Sequence, residues 1–302
     1  MKHIKSVFVI SIFVTVTRIG GVDAFWLRQW GNSRYPFRTA TPPATPSTKE
    51  VLRQHSSSSP SAINEDAESN PYTNNLESAI LRNKVFALRH GQSKANVAGL
   101  IASSPDIACH QYGLSDVGKE QAAKAGQDLV ARYEKDRLMS KSKSSPPPPE
   151  GIAILTSDLL RAKETAQLVA RAVIDSAASI PIPLYCNDII IDERLRERGF
   201  GEWDGGSDAN YNEVWKDDAK DPSHTIRGVE SVWSVTDRAT ECVVEWNNND
   251  ELENHWIVCV AHGDVLQILQ TAFSLMDPSQ HRSLEHLETA TLRPLQLKAS
   301  KQ

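Results

Sequence analysis

No CxxC pair occurs in the 302-residue chain, whose four cysteines, Cys109, Cys186, Cys242 and Cys259, are widely spaced. That spacing argues against a disulfide framework and a cysteine zinc site. Cys259 sits in an apolar run and is expected in the core. A basic excess is also missing: 33 Lys and Arg face 38 Asp and Glu, for a net charge of −5. Nothing in that balance calls for a nucleic-acid partner. There is no internal repeat. What is present, 40% hydrophobic and 24% charged residues, is ordinary for a soluble enzyme.

The N-terminus reads as an address rather than as part of the fold. Lys2, His3 and Lys5 precede the apolar run Val7–Val16, broken only by Ser11 and Thr15. Val22-Asp23-Ala24 supplies small or modest residues where a signal peptidase reads, so residues 1–24 are expected to be a signal peptide. An uncleaved anchor is the alternative, although the run is short for a membrane span. From Phe25 to Lys49 there is no Asp or Glu, and Arg28, Arg34, Arg38 and Lys49 are scattered among Ser, Thr and Pro. Such a composition over 25–50 resembles an organelle transit peptide. Signal plus transit-like stretch resembles the two-part plastid address of algae with secondary plastids. A secreted protein with a disordered leader is the other reading, and no stable membrane partner is expected after signal removal. Thr39–Asn75 is rich in Pro, Ser, Thr and Asn, and 51–78 is expected to be a disordered linker. The remaining 79–298, about 220 residues, fits one α/β domain.

Within that domain, Val85–Leu88 suits a short buried strand, and Arg89-His90-Gly91 stands where it ends. Ligands of open α/β sheets bind beyond the carboxyl ends of the strands. The glycine permits a sharp turn or close backbone approach, and Ser93 and Asn96 add short groups able to bond phosphate oxygens. A loop is expected over Val97–Tyr112, then a helix capped by Ser115 with Ala122, Ala125, Leu129 and Tyr133 facing the core. Lys141–Glu150 holds four consecutive prolines, an extended surface insertion serving as a spacer or, less simply, a polyproline docking site. Ile152–Leu155 is the next strand, followed by a helix to about Val173 that carries Arg161 near its start. Pro183–Cys186 is expected as a third strand. Asp192–Gly206 is too polar for a core element and reads as a salt-bridged loop. A short helix is expected around Tyr211 and Trp215, and a longer one from Gly228 with Val232, Val235, Ala239, Cys242, Val243 and Trp246 on one face. Trp256–Ala261 is the most apolar run, ending at His262-Gly263-Asp264 before a helix over Val265–Leu275; Ala290–Leu297 closes the chain as an edge strand.

Two strands thus end in His-Gly, and a third ends beside a helix carrying Arg161. In a parallel sheet these ends share one edge. Two arginines and two histidines around one point concentrate positive charge, which makes sense if the partner is an anion; guanidinium binds phosphate oxygens bidentately. A zinc site on His90 and His262 is disfavoured by the flanking arginines.

These motifs resemble the histidine phosphatase superfamily. The family's R-H-G is Arg89-His90-Gly91, with Asn96 at the matching later position; its second arginine is Arg161 in S-D-L-L-R-A-K-E-T-A; its acid motif is Leu195-Arg196-Glu197-Arg198-Gly199-Phe200-Gly201; its second histidine is His262. The resemblance covers about Lys84 to Lys298. It implies the phosphoglycerate mutase-like fold, a three-layer α/β/α sandwich with a mostly parallel central sheet. It implies His90 as nucleophile, Glu197 as proton donor, and Arg89, Arg161 and His262 as stabilisers of the phosphoryl group. Arg89, Gly91, Ser93, Asn96, Arg161, His262 and Gly263 are the expected substrate contacts, with no metal or cofactor and a small phosphorylated substrate. Asp264 is a rival acid, but Gly263 separates it from the histidine; Glu193 and Glu202 are expected to be solvated or bridged to arginines. Mutases of this kind carry a longer stretch between acid and second histidine than the 262 − 197 = 65 positions here, and Asp264-Val265 replaces the expected asparagine-serine. Phosphatase is therefore favoured over mutase, with a non-catalytic phospho-ligand binder as the third reading. Oligomeric state is not legible.

Overall fold

The computed structural model describes residues 73–140, 146–176 and 180–298. The signal and transit segments and most of the linker lie outside the described residues. The elements are β1 (Lys84–Arg89), α1 (Lys94–Ala98), α2 (Pro105–Ala108), α3 (Asp116–Met139), β2 (Ile152–Thr156), α4 (Leu160–Ser176), β3 (Ile190–Ile191), α5 (Tyr211–Asp218), α6 (Val232–Asn247), β4 (Trp256–Ala261), α7 (Gly263–Phe273) and β5 (Leu292–Leu295).

The five strands form one sheet in the order β3-β2-β4-β1-β5, parallel except for β5. Strands buried on both faces read as continuous apolar runs, and every residue of β2 and β4 is buried. The pleat sends alternate side chains to opposite faces. Val85 and Ala87 of β1, with Ile257 and Cys259 of β4, pack under α6 and α7. Phe86 and Leu88, with Trp256, Val258 and Val260, pack under α3 and α4. The result is the expected three-layer sandwich. Register aligns Arg89 with Ala261 and Thr156 with Val260, so β1, β4 and β2 end at one level.

Three details differ from the sequence expectation. The third strand is not Pro183–Cys186: Leu184 makes one bridge to Ile152. Left-handed backbone at Cys186 (φ 57°) and Asn187 (φ 54°) then breaks the extended run, and pairing resumes at Ile190–Ile191. The 97–112 loop contains α2 and the end of α1; Pro105 suits a helix start. The packed chain begins before residue 79. Leu76 is fully buried, and Asn74 Nδ2 donates to the Ala272 carbonyl at 3.1 Å. The proline segment keeps its expected place on the surface and is tethered there: Tyr133 OH donates to Pro149 O and Asn254 Nδ2 to Pro148 O, both at 2.7 Å.

Candidate active site

His90 leaves the sheet edge at the end of β1, with its N–H still bonded to Ala261 O at 3.0 Å. Its ring Nδ1 lies 2.7 Å from Gly91 O. A carbonyl only accepts, so Nδ1 carries the proton and Nε2 carries the lone pair. Arg161 Nε donates to that Nε2 at 3.1 Å. Gly91 is required for this geometry: a Cβ there would stand 2.4 Å from Gly118 O in the first turn of α3. Its N–H donates to Thr165 Oγ1 at 3.1 Å. Both backbone groups of Gly91 are thus engaged within the protein, which makes it a holder of His90 rather than a ligand contact.

His262, fully buried at the end of β4, packs against His90 with ring centroids 5.2 Å apart. Its Nε2 is 2.9 Å from Ser157 Oγ. That hydroxyl also accepts from Leu159 N at 3.1 Å. Ser157 was not singled out in the sequence, although it ends β2 as the histidines end β1 and β4.

Glu197 comes from the Asp192–Gly206 segment, which Arg238 pins by donating to the Arg194 and Arg196 carbonyls at 2.5 and 2.9 Å. The carboxylate is buried, and Oε1 accepts from Arg198 N at 3.0 Å. Arg89 Nη1 contacts His286 Nε2 at 2.7 Å and donates to Leu287 O at 3.1 Å. Its guanidinium lies over Gly263, 3.5 Å from where a Cβ would be. Ser93 Oγ caps α1 and donates to Asn96 Oδ1 at 2.9 Å. Asn96 Oδ1 also accepts from Ser93 N, leaving its Nδ2 as the group it can offer a ligand.

Arg89, His90, Ser93, Asn96, Arg161, Glu197 and Gly263 line one cleft of about 100 Å³, together with Asp264, with Tyr211 and Trp215 from the irregular 207–227 segment where the sequence places substrate choice, and with Arg282 and His286, which the sequence did not mark. Arg89 Nε and Arg161 Nη1 are buried donors, and His262 Nδ1 a buried ring nitrogen, with no partner among the described residues. Buried donors are normally satisfied, so these define a ligand rich in acceptors.

Electrostatics agree. Burial, then Arg161 and Arg89, hold the His90 imidazole well below its ordinary value, against the pull of the Gly91 carbonyl. Burial, Arg161 and His90 do the same to His262. Burial, then Asp264, push the Glu197 carboxyl up, opposed by Arg161 and Arg89. Two neutral imidazoles and a carboxyl with a raised affinity for its proton therefore face two cations.

Asp264 is not free to act as an acid. It accepts from Trp215 Nε1 at 3.0 and 3.3 Å and from Arg198 Nη1 at 3.4 Å. Arg198 itself corrects the reading of its segment as a solvated loop: it is wholly buried and grips Asp218 with two 2.7 Å bonds. Arg194 and Arg196 are paired with Asp192 and Asp158. Glu193 pairs with Arg196 at 3.0 Å, and Glu202 lies 3.8 Å from Arg227. Among the described residues, no three His, Cys, Asp or Glu side chains gather to hold a metal.

A histidine with an unprotonated ring nitrogen, set beside unspent cationic donors at the end of a parallel sheet, defines a phosphoryl-transfer enzyme. Residues 85–302 match the model of the histidine phosphatase superfamily (branch 1), and the chain belongs to that superfamily. It is 28% identical over 204 residues to glucosyl-3-phosphoglycerate phosphatase of Mycolicibacterium vanbaalenii, covering 63% of this chain and 73% of that protein. The corresponding figure for the Mycobacterium tuberculosis protein is 27% over 203 residues, covering 63% and 74%. Among solved structures, mycobacterial hydrolase 1 shares the fold with a TM-score of 0.51 and 23% identity, covering 70% of this chain and 87% of that one. A mycobacterial glucosyl-3-phosphoglycerate phosphatase complexed with VO3 does so at 0.50 and 23%, covering 70% and 90%. The chain is a phosphoric monoester hydrolase of this superfamily.

Proposed function

We propose that the protein hydrolyses a small phosphorylated metabolite without a metal, through a phosphohistidine at His90. The observation that carries this is the lone pair on His90 Nε2, set beside two buried arginine donors that lack acceptors among the described residues. Nε2 attacks phosphorus; the N–P bond forms as the ester P–O bond breaks. Arg161 shifts its Nε–H bond from the imidazole to a phosphoryl oxygen. Arg89, Arg161 and His262 offset the charge on the equatorial oxygens. Glu197 gives its proton to the leaving oxygen, then takes one from water as that water displaces His90 and releases inorganic phosphate. The relatives' names, which are those of phosphatases, support a small phosphate ester as substrate.

The test supplies 3-phosphoglycerate with a trace of 2,3-bisphosphoglycerate, with and without EDTA, and follows 2-phosphoglycerate and free phosphate. Phosphate release that survives EDTA, without isomerisation, is expected. Rapid isomerisation with negligible phosphate would make the protein a mutase.

We also propose that residues 1–50 are a plastid address, on composition alone. A fluorescent fusion of those residues, expressed in a host with secondary plastids, is expected in the plastid; diffuse cytosolic signal would reject it.

A further inference from the structure

Arg282 has no part in the chemistry above, yet its guanidinium faces the same cleft. It lies in the turn Pro278–Ser283 that follows α7. Its guanidinium carbon sits 3.7 Å from the centre of the Trp215 ring. A cation over a ring face is held without spending any N–H. The nearest carboxylate oxygen, Asp264 Oδ1, is 4.0 Å away, beyond hydrogen-bond reach. Asp264 is already bonded by Trp215 and Arg198. Arg282 therefore has no hydrogen-bond acceptor among the described residues. The next lining residue, His286, has Nε2 against Arg89 Nη1. Arginine only donates, so the proton of His286 lies on Nδ1, which has no partner among the described residues. Burial holds the Arg282 guanidinium below its ordinary value, with Asp264 opposing and Arg89 reinforcing. One wall of the cleft thus offers a clamped guanidinium and an imidazole N–H, adjoining the arginine of the phosphoryl site.

We propose that Arg282, with His286 beside it, binds a second anionic group of the substrate, a carboxylate a few bonds from the phosphorylated oxygen. The enzyme then selects phosphate esters of hydroxy acids over those of neutral alcohols. Guanidinium matches a carboxylate with two parallel bonds, which a lysine cannot reproduce. The Asp264 charge nearby does not forbid this, because Arg198 and Trp215 already share it. This inference rests on the hydrolase reading, and deepens it by naming the substrate class.

The experiment compares 3-phosphoglycerate with glycerol 3-phosphate, which differ by a carboxylate in place of a hydroxymethyl group. The readout is the ratio of their kcat/KM values in the wild type, Arg282→Gln and Arg282→Lys. A wild-type preference of about tenfold or more for the acid is expected. Arg282→Gln should bring the ratio to within about twofold of unity, and Arg282→Lys should fall between. A wild-type ratio near one overturns the proposal, as does a ratio that Arg282→Gln leaves unchanged while both rates fall together. Absence of turnover on either ester and on p-nitrophenyl phosphate would be a failure of the hydrolase reading instead. In that event calorimetric binding of the same two esters decides: tighter binding of the acid by wild type but not by Arg282→Gln supports the subsite, and equal binding rejects it.

Discussion

Arg198 and Arg161 are both enclosed arginines with a histidine and a carboxylate close by, and they differ in what is left over. Arg198 spends Nη1 and Nη2 on Asp218 and Nε on the Glu230 carbonyl, each at 2.7 Å. His224 Nε2, 2.8 Å from Asp218 Oδ1, completes that cluster. Arg161 gives Nε to an uncharged ring nitrogen and leaves Nη1 with no partner among the described residues. A buried charge held in no close ion pair costs several kcal/mol. Within one domain, then, the same residue type is a structural clamp where its partners are internal and a ligand-binding group where they are not. The leftover donors, rather than the arginines or histidines as such, locate the function.

The comparison can be broken at its extremes. Arg161→Met should lower kcat/KM by roughly 10²–10³-fold, the cost of one preorganised donor. Its melting temperature should stay level or rise, because a buried cation held in no close ion pair among the described residues is removed. Arg198→Met should do the reverse in kind: it strands Asp218 and Asp264, and should cost about 3–5 kcal/mol in chemical denaturation. Equal stability losses in the two variants would erase the distinction drawn between them.

Glu197→Gln sharpens the site side. It keeps shape and removes the proton, and should slow alkyl phosphates by roughly a hundredfold. p-Nitrophenyl phosphate, whose leaving group needs little protonation, should be affected least. Equal slowing of both would place the acid elsewhere.

The smallest effect is on pH dependence. Burial and the cations hold His90 and His262 well below 6.5 in the folded protein. The unfolded chain takes up those protons near 6.5 and the folded one does not. Their contribution is therefore present above that pH and lost as pH falls below it, by up to about 1.4 kcal/mol per unit for each ring. Denaturation midpoints between pH 7 and 5 should fall less steeply in His262→Asn; an identical slope would mean that His262 is protonated when folded.

The strand ends were legible because buried parallel strands read as apolar runs, so a switch to Arg-His-Gly or His-Gly marks their carboxyl ends. Asn96 was half legible: its spacing from Ser93 suits a ligand contact, and equally suits the capping box that consumes its Oδ1. Arg194, Arg196 and Arg198 look alike in sequence; only packing buries the last against Asp218, twenty residues on in α5. β3 escaped because two residues carry no periodicity and left-handed backbone precedes them. Arg282 and His286 escaped because the turns after α7 follow no pattern, and their place in the cleft is set by tertiary packing alone.

The central claim is that the unspent donors surround a nucleophile, and rapid quenching tests it most directly. Enzyme mixed with a 32P-labelled phosphate ester is stopped in alkali within milliseconds, digested and mapped by mass spectrometry. The account predicts an alkali-stable, acid-labile phosphoryl group on His90 that forms and decays at turnover-competent rates and never forms in His90→Ala. Label on another residue, or undiminished turnover by His90→Ala, would contradict it.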